Sequence, residues 1–252
     1  MAFGLIAVTA LLIFGVAALR MFRGQSSHVE LDRSLYPVAG IDISAHNGDV
    51  DFDSVAASGI DFVYIKASEG TSFRDNRFRD NYERARKAGL AVGAYHFFRF
   101  DCDGRRQAMN FLAATAGCRL QLPPVIDVEE WGNPSEETTE IIIMRLREMS
   151  TLIEVTGPDG RRPMIYTNKN GYTRFLAGGE VSADGSIPEV WICSFSTPPN
   201  AGRPWTLWQH SHKGRVAGAD GYVDMNTFNG SRDSWEAWLD SVGGGRTARD
   251  TQ

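Results

Sequence analysis

The residues with the clearest chemical potential are acidic, and they recur at comparable places in the chain. Asp42 lies in GIDIS (40–44), Asp127 and Glu129 in PPVIDVEEW (123–131), and Asp224 in YVDMN (222–226). Each sits at the end of a short run of β-branched and aromatic residues that reads as a strand. Side chains alternate along a strand, so Asp127 and Glu129 share a face, and a rise of about 3.3 Å per residue sets them within roughly 7 Å of each other. Carboxylates that close repel, so one holds its proton at neutral pH while another stays ionised. An acid beside a base or charge stabiliser is the equipment for breaking a glycosidic bond. One acidic residue at a strand end more often caps a turn or solvates a loop; four that converge on one mouth require a common explanation.

Aromatic residues gather at the same strand ends: Tyr64, Tyr95, Phe97, Phe98, Trp131, Tyr166, Trp191 and Trp208. Sugar rings stack their C–H faces on such side chains, and their hydroxyls need polar partners, for which Lys66, His96, Gln209 and Asn226 are candidates. About half of the aromatics belong to the core on ordinary burial preferences. The expected substrate-binding set is Tyr64, Lys66, Tyr95, Phe97, Tyr166, Trp208, Gln209 and Asn226, around the catalytic carboxyls Asp42, Asp127, Glu129 and Asp224.

These groups need a scaffold that brings distant segments to one place. Strands are expected over 38–44, 62–68, 91–98, 124–131, 164–168, 190–195, 206–211 and 222–226. Helical patterns fall between the early strands at 75–88, where Glu83 and Lys87 form an i,i+4 pair and Gly89 supplies a stop, at 105–116 and at 135–155. Eight strands with helices between the first five predict an α/β fold, an irregular TIM-like β/α barrel whose last crossovers are shortened. Chemistry in such a barrel gathers at the C-terminal strand ends.

The 252 residues leave room for one large core, and 42% hydrophobic with 11% aromatic content excludes a disordered chain. With 26 Lys+Arg against 31 Asp+Glu, the net charge of −5 excludes the basic excess that nucleic-acid binding needs. Residues 2–19 carry no charge and are apolar on every face, so 1–23 reads as a transmembrane anchor or a signal sequence. The anchor is favoured, because the run exceeds a usual signal core and lacks a small-x-small cleavage site. Arg20 and Arg23 follow this segment with no basic residue before it, which by the positive-inside rule favours a cytoplasmic C-terminal side. A polar linker is expected over 24–36, the barrel over 37–240 and a flexible tail over 241–252. Cys102, Cys118 and Cys193 form no CxxC, and no HExxH is present, so neither metal nor organic cofactor is expected. Cys102 and Cys118 could pair in an exported domain. His210 and His212 read as polar residues on one face of a strand end.

Six segments in order carry a resemblance: GIDISAHNG (40–48), FVYIKASEGTSFRD (62–75), AGLAVGAYHFF (88–98), LPPVIDVEEW (122–131), MIYTN (164–168) and WQHSHKGRVAGADGYVDMN (208–226). Over about residues 40–230 the chain resembles the glycoside hydrolase family 25 lysozymes, the Chalaropsis-type muramidases. The resemblance implies hydrolysis of the β-1,4 bond between N-acetylmuramic acid and N-acetylglucosamine in peptidoglycan glycan strands. By motif, Glu129 is then the proton donor and Asp127 its partner, while Asp42 and Asp224 orient substrate, position water or stabilise positive charge. The second catalytic role is open between a carboxylate nucleophile and the substrate's own 2-acetamido group; the latter is favoured, with Asp127 orienting it. Two departures bear on sugar subsites: Trp191-Ile192-Cys193-Ser194-Phe195 lacks the tyrosine of the family's W-I-A-x-Y, and His210 interrupts an aromatic pattern after Trp208-Gln209.

Such a substrate places the barrel outside the cytoplasm, membrane-anchored or secreted; nothing in the sequence suggests more than a monomer. The alternative is a non-catalytic glycan-binding module on the same barrel, against which the retention of all four carboxyls speaks. A peptide-crosslink hydrolase would need a nucleophile constellation or metal triad that the sequence lacks.

Overall fold

The computed structural model describes residues 31–178, 181, 186, 188–195, 197–199 and 204–243, and among them nine strands and five longer helices follow one another, with the helices concentrated between the earlier strands. The expected anchor at 1–23 lies outside the described residues, as do 24–30 of the linker and 244–252 of the tail. The strands are β1 (Ala39–Ile43), β2 (Phe62–Glu69), β3 (Phe73–Arg74), β4 (Ala91–Phe97), β5 (Val125–Asp127), β6 (Met164–Asn168), β7 (Val190–Cys193), β8 (Leu207–Gly214) and β9 (Val223–Phe228). The helices are α1 (Phe52–Ala57), α2 (Phe78–Lys87), α3 (Gly104–Thr115), α4 (Thr139–Thr156) and α5 (Arg232–Ser241). Polar caps start four of them: Asp51, Asp103, Thr138 and Ser231 each accept a backbone N–H of the first turn.

Eight strands close a barrel in the order β1-β9-β8-β7-β6-β5-β4-β2, with β1 and β2 pairing to complete it. The ninth, β3, is a short antiparallel extension of β2. The expected irregular TIM-like barrel is formed, and its irregularity lies at one strand: β9 runs antiparallel to both neighbours. A parallel return needs a crossover of a dozen or more residues, and the short link between β8 and β9 permits only a hairpin. Asp224 therefore opens its strand instead of ending it, and the reversal brings that start to the mouth where the parallel strands end.

A second correction concerns Glu129, which lies beyond the three-residue β5. The extended path nevertheless continues, because the Phe98 N–H donates to Asp127 O (2.9 Å), Val128 N–H to Tyr166 O (2.9 Å) and Thr167 Oγ1 to Val128 O (2.7 Å). Val128 thus points into the outer core, while Asp127 and Glu129 keep the inward face.

Two apolar layers follow from strand alternation. Outward side chains such as Ile41, Val63, Ile65, Val92, Ile126 and Ile165 pack with Ala85, Phe111, Leu146 and Ile153 of the helices. Inward, Phe62, Tyr64, Val125, Met164, Trp191, Leu207 and Phe228 fill the barrel, and Trp235 of α5 stacks on Phe62 at 5.2 Å to seal the end opposite the mouth. Two glycines make that filling possible: a Cβ at Gly40 would lie 2.2 Å from the Phe62 ring, and one at Gly93 2.2 Å from the Tyr64 ring.

The last residues of the expected linker pack on the barrel. Leu31 and Tyr36 contact the core, and the Tyr36 ring meets Trp208 edge-on at 5.7 Å. All three cysteines are free; the pairing considered for Cys102 and Cys118 is not formed, since Cys102 sits near Gly70 and Cys118 against Arg79.

Candidate active site

The strand ends surround a cavity of about 350 Å³ lined by all four carboxyl groups, Asp42, Asp127, Glu129 and Asp224. Asp42 on β1 and Asp224 on β9 are direct cross-strand partners. Asp42 Oδ2 accepts hydrogen bonds from Gln209 Nε2 (2.9 Å) and Asn226 Nδ2 (2.8 Å). Behind these amides, Tyr166 Oη donates to Gln209 Oε1 (2.8 Å) and Trp191 Nε1 to Asn226 Oδ1 (2.9 Å). One oxygen of Asp127 is buried with no hydrogen-bond partner among the described residues.

Burial and mutual repulsion govern the protons. Burial raises the Glu129 pKa to about 7, helped by the charge of Asp42 and opposed by Lys66. Burial, then Asp42, raises Asp224 to about 8. Asp127 lies well above the usual carboxylate range, through burial and then the charge of Glu129. Asp42 is raised by burial but held back by Asn226 and Gln209. The ring therefore carries protons at neutral pH, the condition for donating one to a leaving oxygen.

Of the expected binding residues, Lys66, Tyr95, Phe97, Tyr166 and Gln209 line the cavity. Three do not. Asn226 is fully buried behind Asp42 and acts through it. Tyr64 lies deeper in the barrel, one inward step below Lys66, with its hydroxyl on Pro123 O (3.1 Å). Trp208 belongs to the outer layer, its indole N–H on Ser194 O (2.8 Å). Trp208 and Gln209 are adjacent along β8 and so face opposite ways, and only one of them can reach the mouth. His96 also points outward, with its ring nitrogens on Ser68 and Gln107, and burial lowers its pKa to about 4, leaving it neutral. A bulge in β8 between Gln209 and Ser211 separates the two histidines expected to share a face: His210 is buried beside Trp208, and His212 is exposed against Phe195.

Ser44, His46, Glu69, Trp131, Gly132 and Trp191 complete the lining. Glu69 is three residues from Lys66 and would face away in a regular strand. A bulge in β2 between Lys66 and Ser68 changes the phase, and Lys66 Nζ bonds Glu69 Oε2 at 2.7 Å over the Phe97 ring. His46 stands on a turn held by Asp75, whose carboxylate accepts the Ala45 N–H (2.8 Å). Trp131 is 83% exposed at the rim, and Arg99 donates to Gly132 O (2.8 Å) to fix the loop that carries it. Asn133 pins the same loop to Phe98 O (2.8 Å) and Glu129 O (3.1 Å). Among the described residues no His, Cys, Asp or Glu group could hold a metal ion.

Residues 41–219 match the family model described as glycosyl hydrolases family 25. The chain belongs to this family. As a family 25 member it is a glycoside hydrolase, and its barrel is shared with solved relatives: it superposes on a bacterial lysozyme from Streptomyces coelicolor with a TM-score of 0.69 and 34% identity, covering 81% of this chain and 98% of that one. By sequence, the family 25 chain is 35% identical to lysozyme M1 of Streptomyces globisporus, over 77% of this chain and 68% of the relative. It is 29% identical to an N,O-diacetylmuramidase of Chalaropsis sp, over 76% and 96%.

Proposed function

We propose that this glycoside hydrolase is a peptidoglycan muramidase that cleaves the β-1,4 bond between N-acetylmuramic acid and N-acetylglucosamine. The observation that carries the reading is Glu129: a carboxyl in an aromatic-lined cleft, with burial raising its pKa to about 7, beside the second carboxyl of Asp127. It is protonated in a large fraction of molecules at neutral pH and so can donate to the departing glycosidic oxygen. The relatives named lysozyme and N,O-diacetylmuramidase support the substrate class.

Glu129 is the general acid. Asp127, with one oxygen uncommitted in the protein, accepts the N–H of the muramic 2-acetamido group and turns its carbonyl oxygen toward the anomeric carbon. Asp42 stabilises the positive charge that develops on the ring, and Asp224 holds substrate beside it. Tyr95, Phe97, Tyr166, Trp131 and Trp191 supply ring faces to the sugars, and Lys66 with Gln209 supplies polar contacts. A peptidoglycan substrate puts the barrel's work outside the cytoplasm, and we propose that it acts there as a monomer, with residues 1–23 serving as membrane anchor or cleaved signal.

Digestion of purified peptidoglycan followed by mass spectrometry tests the bond: muramic acid at the new reducing ends is expected, and N-acetylglucosamine there would overturn the assignment. Proton NMR of the first-formed anomer tests the route, because initial release of the inverted anomer excludes double displacement by either nucleophile. A non-catalytic binder would retain glycan with no release of fragments, and it would have no use for a carboxyl poised near neutrality.

A further inference from the structure

The hydrogen bonds behind Asp42 have fixed directions. An indole N–H can only donate, so the atom of Asn226 facing Trp191 must be its carbonyl oxygen, and the amide nitrogen then turns to Asp42 Oδ2. The Tyr166 hydroxyl does the same for Gln209, donating to its oxygen and leaving its nitrogen to Asp42 Oδ2. One carboxyl oxygen therefore accepts two N–H donors, an arrangement that favours the charged form. Asp42 and Asp224 are cross-strand partners that line one cavity, and two carboxyls placed so close are stabilised by holding a proton between them.

We infer that Trp191 and Tyr166, acting through Asn226 and Gln209, are positioning residues that hold Asp42 as the ionised member of the Asp42–Asp224 pair and keep the shared proton on Asp224. The consequence for the reaction rests on the muramidase reading: the β1–β9 side of the cleft then offers one fixed negative charge to the sugar ring and one O–H donor beside it. Other groups facing this pair are Asp127 at the end of β5, Glu129 beyond it, Lys66 on β2, Tyr95 on β4 and Cys193 on β7. Asp127 and Glu129 oppose charge on Asp42 whenever they ionise, while the protonated Asp224 favours it. The two amide donors offset that opposition locally, and Lys66 is bound to Glu69.

The test is a titration of the Asp42 and Asp224 side-chain carboxyls by carbon-13 NMR on the whole barrel protein, compared with the pH dependence of kcat. In the wild type the Asp42 midpoint is expected below that of Asp224. Trp191→Phe frees the Asn226 amide to flip, and the Asp42 midpoint should rise by about one pH unit, with the acidic limb of kcat moving equally. Tyr166→Phe removes one hydroxyl and should move the midpoint the same way by less, which keeps the test usable if Trp191→Phe fails to fold. Trp208→Phe, which also deletes a buried indole N–H bond but on the outer face, should leave both midpoints in place. An Asp42 midpoint unchanged in both Trp191→Phe and Tyr166→Phe, or a wild-type Asp224 that ionises before Asp42, would overturn the inference. The titration needs no substrate, so its failure is distinct from a peptidoglycan digest that yields no muramic reducing ends.

Discussion

The two halves of the barrel interior are built from the same strands and have opposite characters. On β2 the inward residues run Phe62, Tyr64, Lys66, and on β9 they run Phe228, Asn226, Asp224 from the sealed end to the mouth. The lower half is a dry aromatic plug in which even the Tyr64 hydroxyl is satisfied by a backbone carbonyl. In the upper half, four carboxyls share too few protons around a cavity. A step of two residues along a strand is the distance from stability to chemistry. The lower layer gains from burial, while the upper one bears the cost of desolvated like charges, the pattern expected where function is built at the expense of stability.

Substitutions should separate the halves. The largest effect is expected for Glu129→Gln, with kcat on peptidoglycan falling at least about a hundredfold and thermal stability kept or raised; a turbidity assay alongside a melting curve measures both. In the wild type the same group should make kcat/KM decline as pH rises through about 7, since Glu129 must be protonated to act. A profile flat to pH 9 would detach it from the acid role. In the lower half, Gly93→Ala drives a methyl into the Tyr64 ring and should cost about 1–3 kcal/mol in denaturant unfolding, with the folded fraction keeping its activity.

Asp224→Asn should act in the opposite sense on stability. Asp224 and Glu129 titrate near 8 and 7 in the folded chain, against about 4 when unfolded, so the folded state binds more protons across that window. Stability therefore falls as pH rises from about 4 to about 8. The asparagine variant should recover on the order of 1–2 kcal/mol at pH 8, or ~2–8 °C in Tm, and nothing at pH 4. A variant no more stable at pH 8 than the wild type would show that the upper half is not under electrostatic strain. The smallest effect belongs to the rim: Trp131→Ala should raise KM roughly fivefold, about 1 kcal/mol of lost stacking, with no measurable change in Tm.

Much of this contrast was legible in the residues. Alternation alone puts Asp127 and Glu129 on one face, and the acidic positions at strand ends predict a shared mouth. Trp208 shows where such reading fails: an aromatic at a strand end is attractive as a sugar platform, but its parity along β8 is opposite to that of Gln209. Glu69 was hidden by the converse effect, a bulge that changes parity and leaves no composition signal. Asn226 is polar and close to the cavity, yet it is buried one layer behind and bonds Asp42 instead of lining the mouth.

What the sequence by itself determined is the set of strands, their alternating faces and the acidic and aromatic residues they carry, because these depend on local periodicity and side-chain chemistry. Only the tertiary structure decided the direction of β9, the bulges that re-aim Glu69 and separate His210 from His212, and the partners that divide protons among four carboxyls. Those features arise from which strands pair and how the barrel closes, and a carboxyl's pKa depends on neighbours that are far away in the chain and close only after folding.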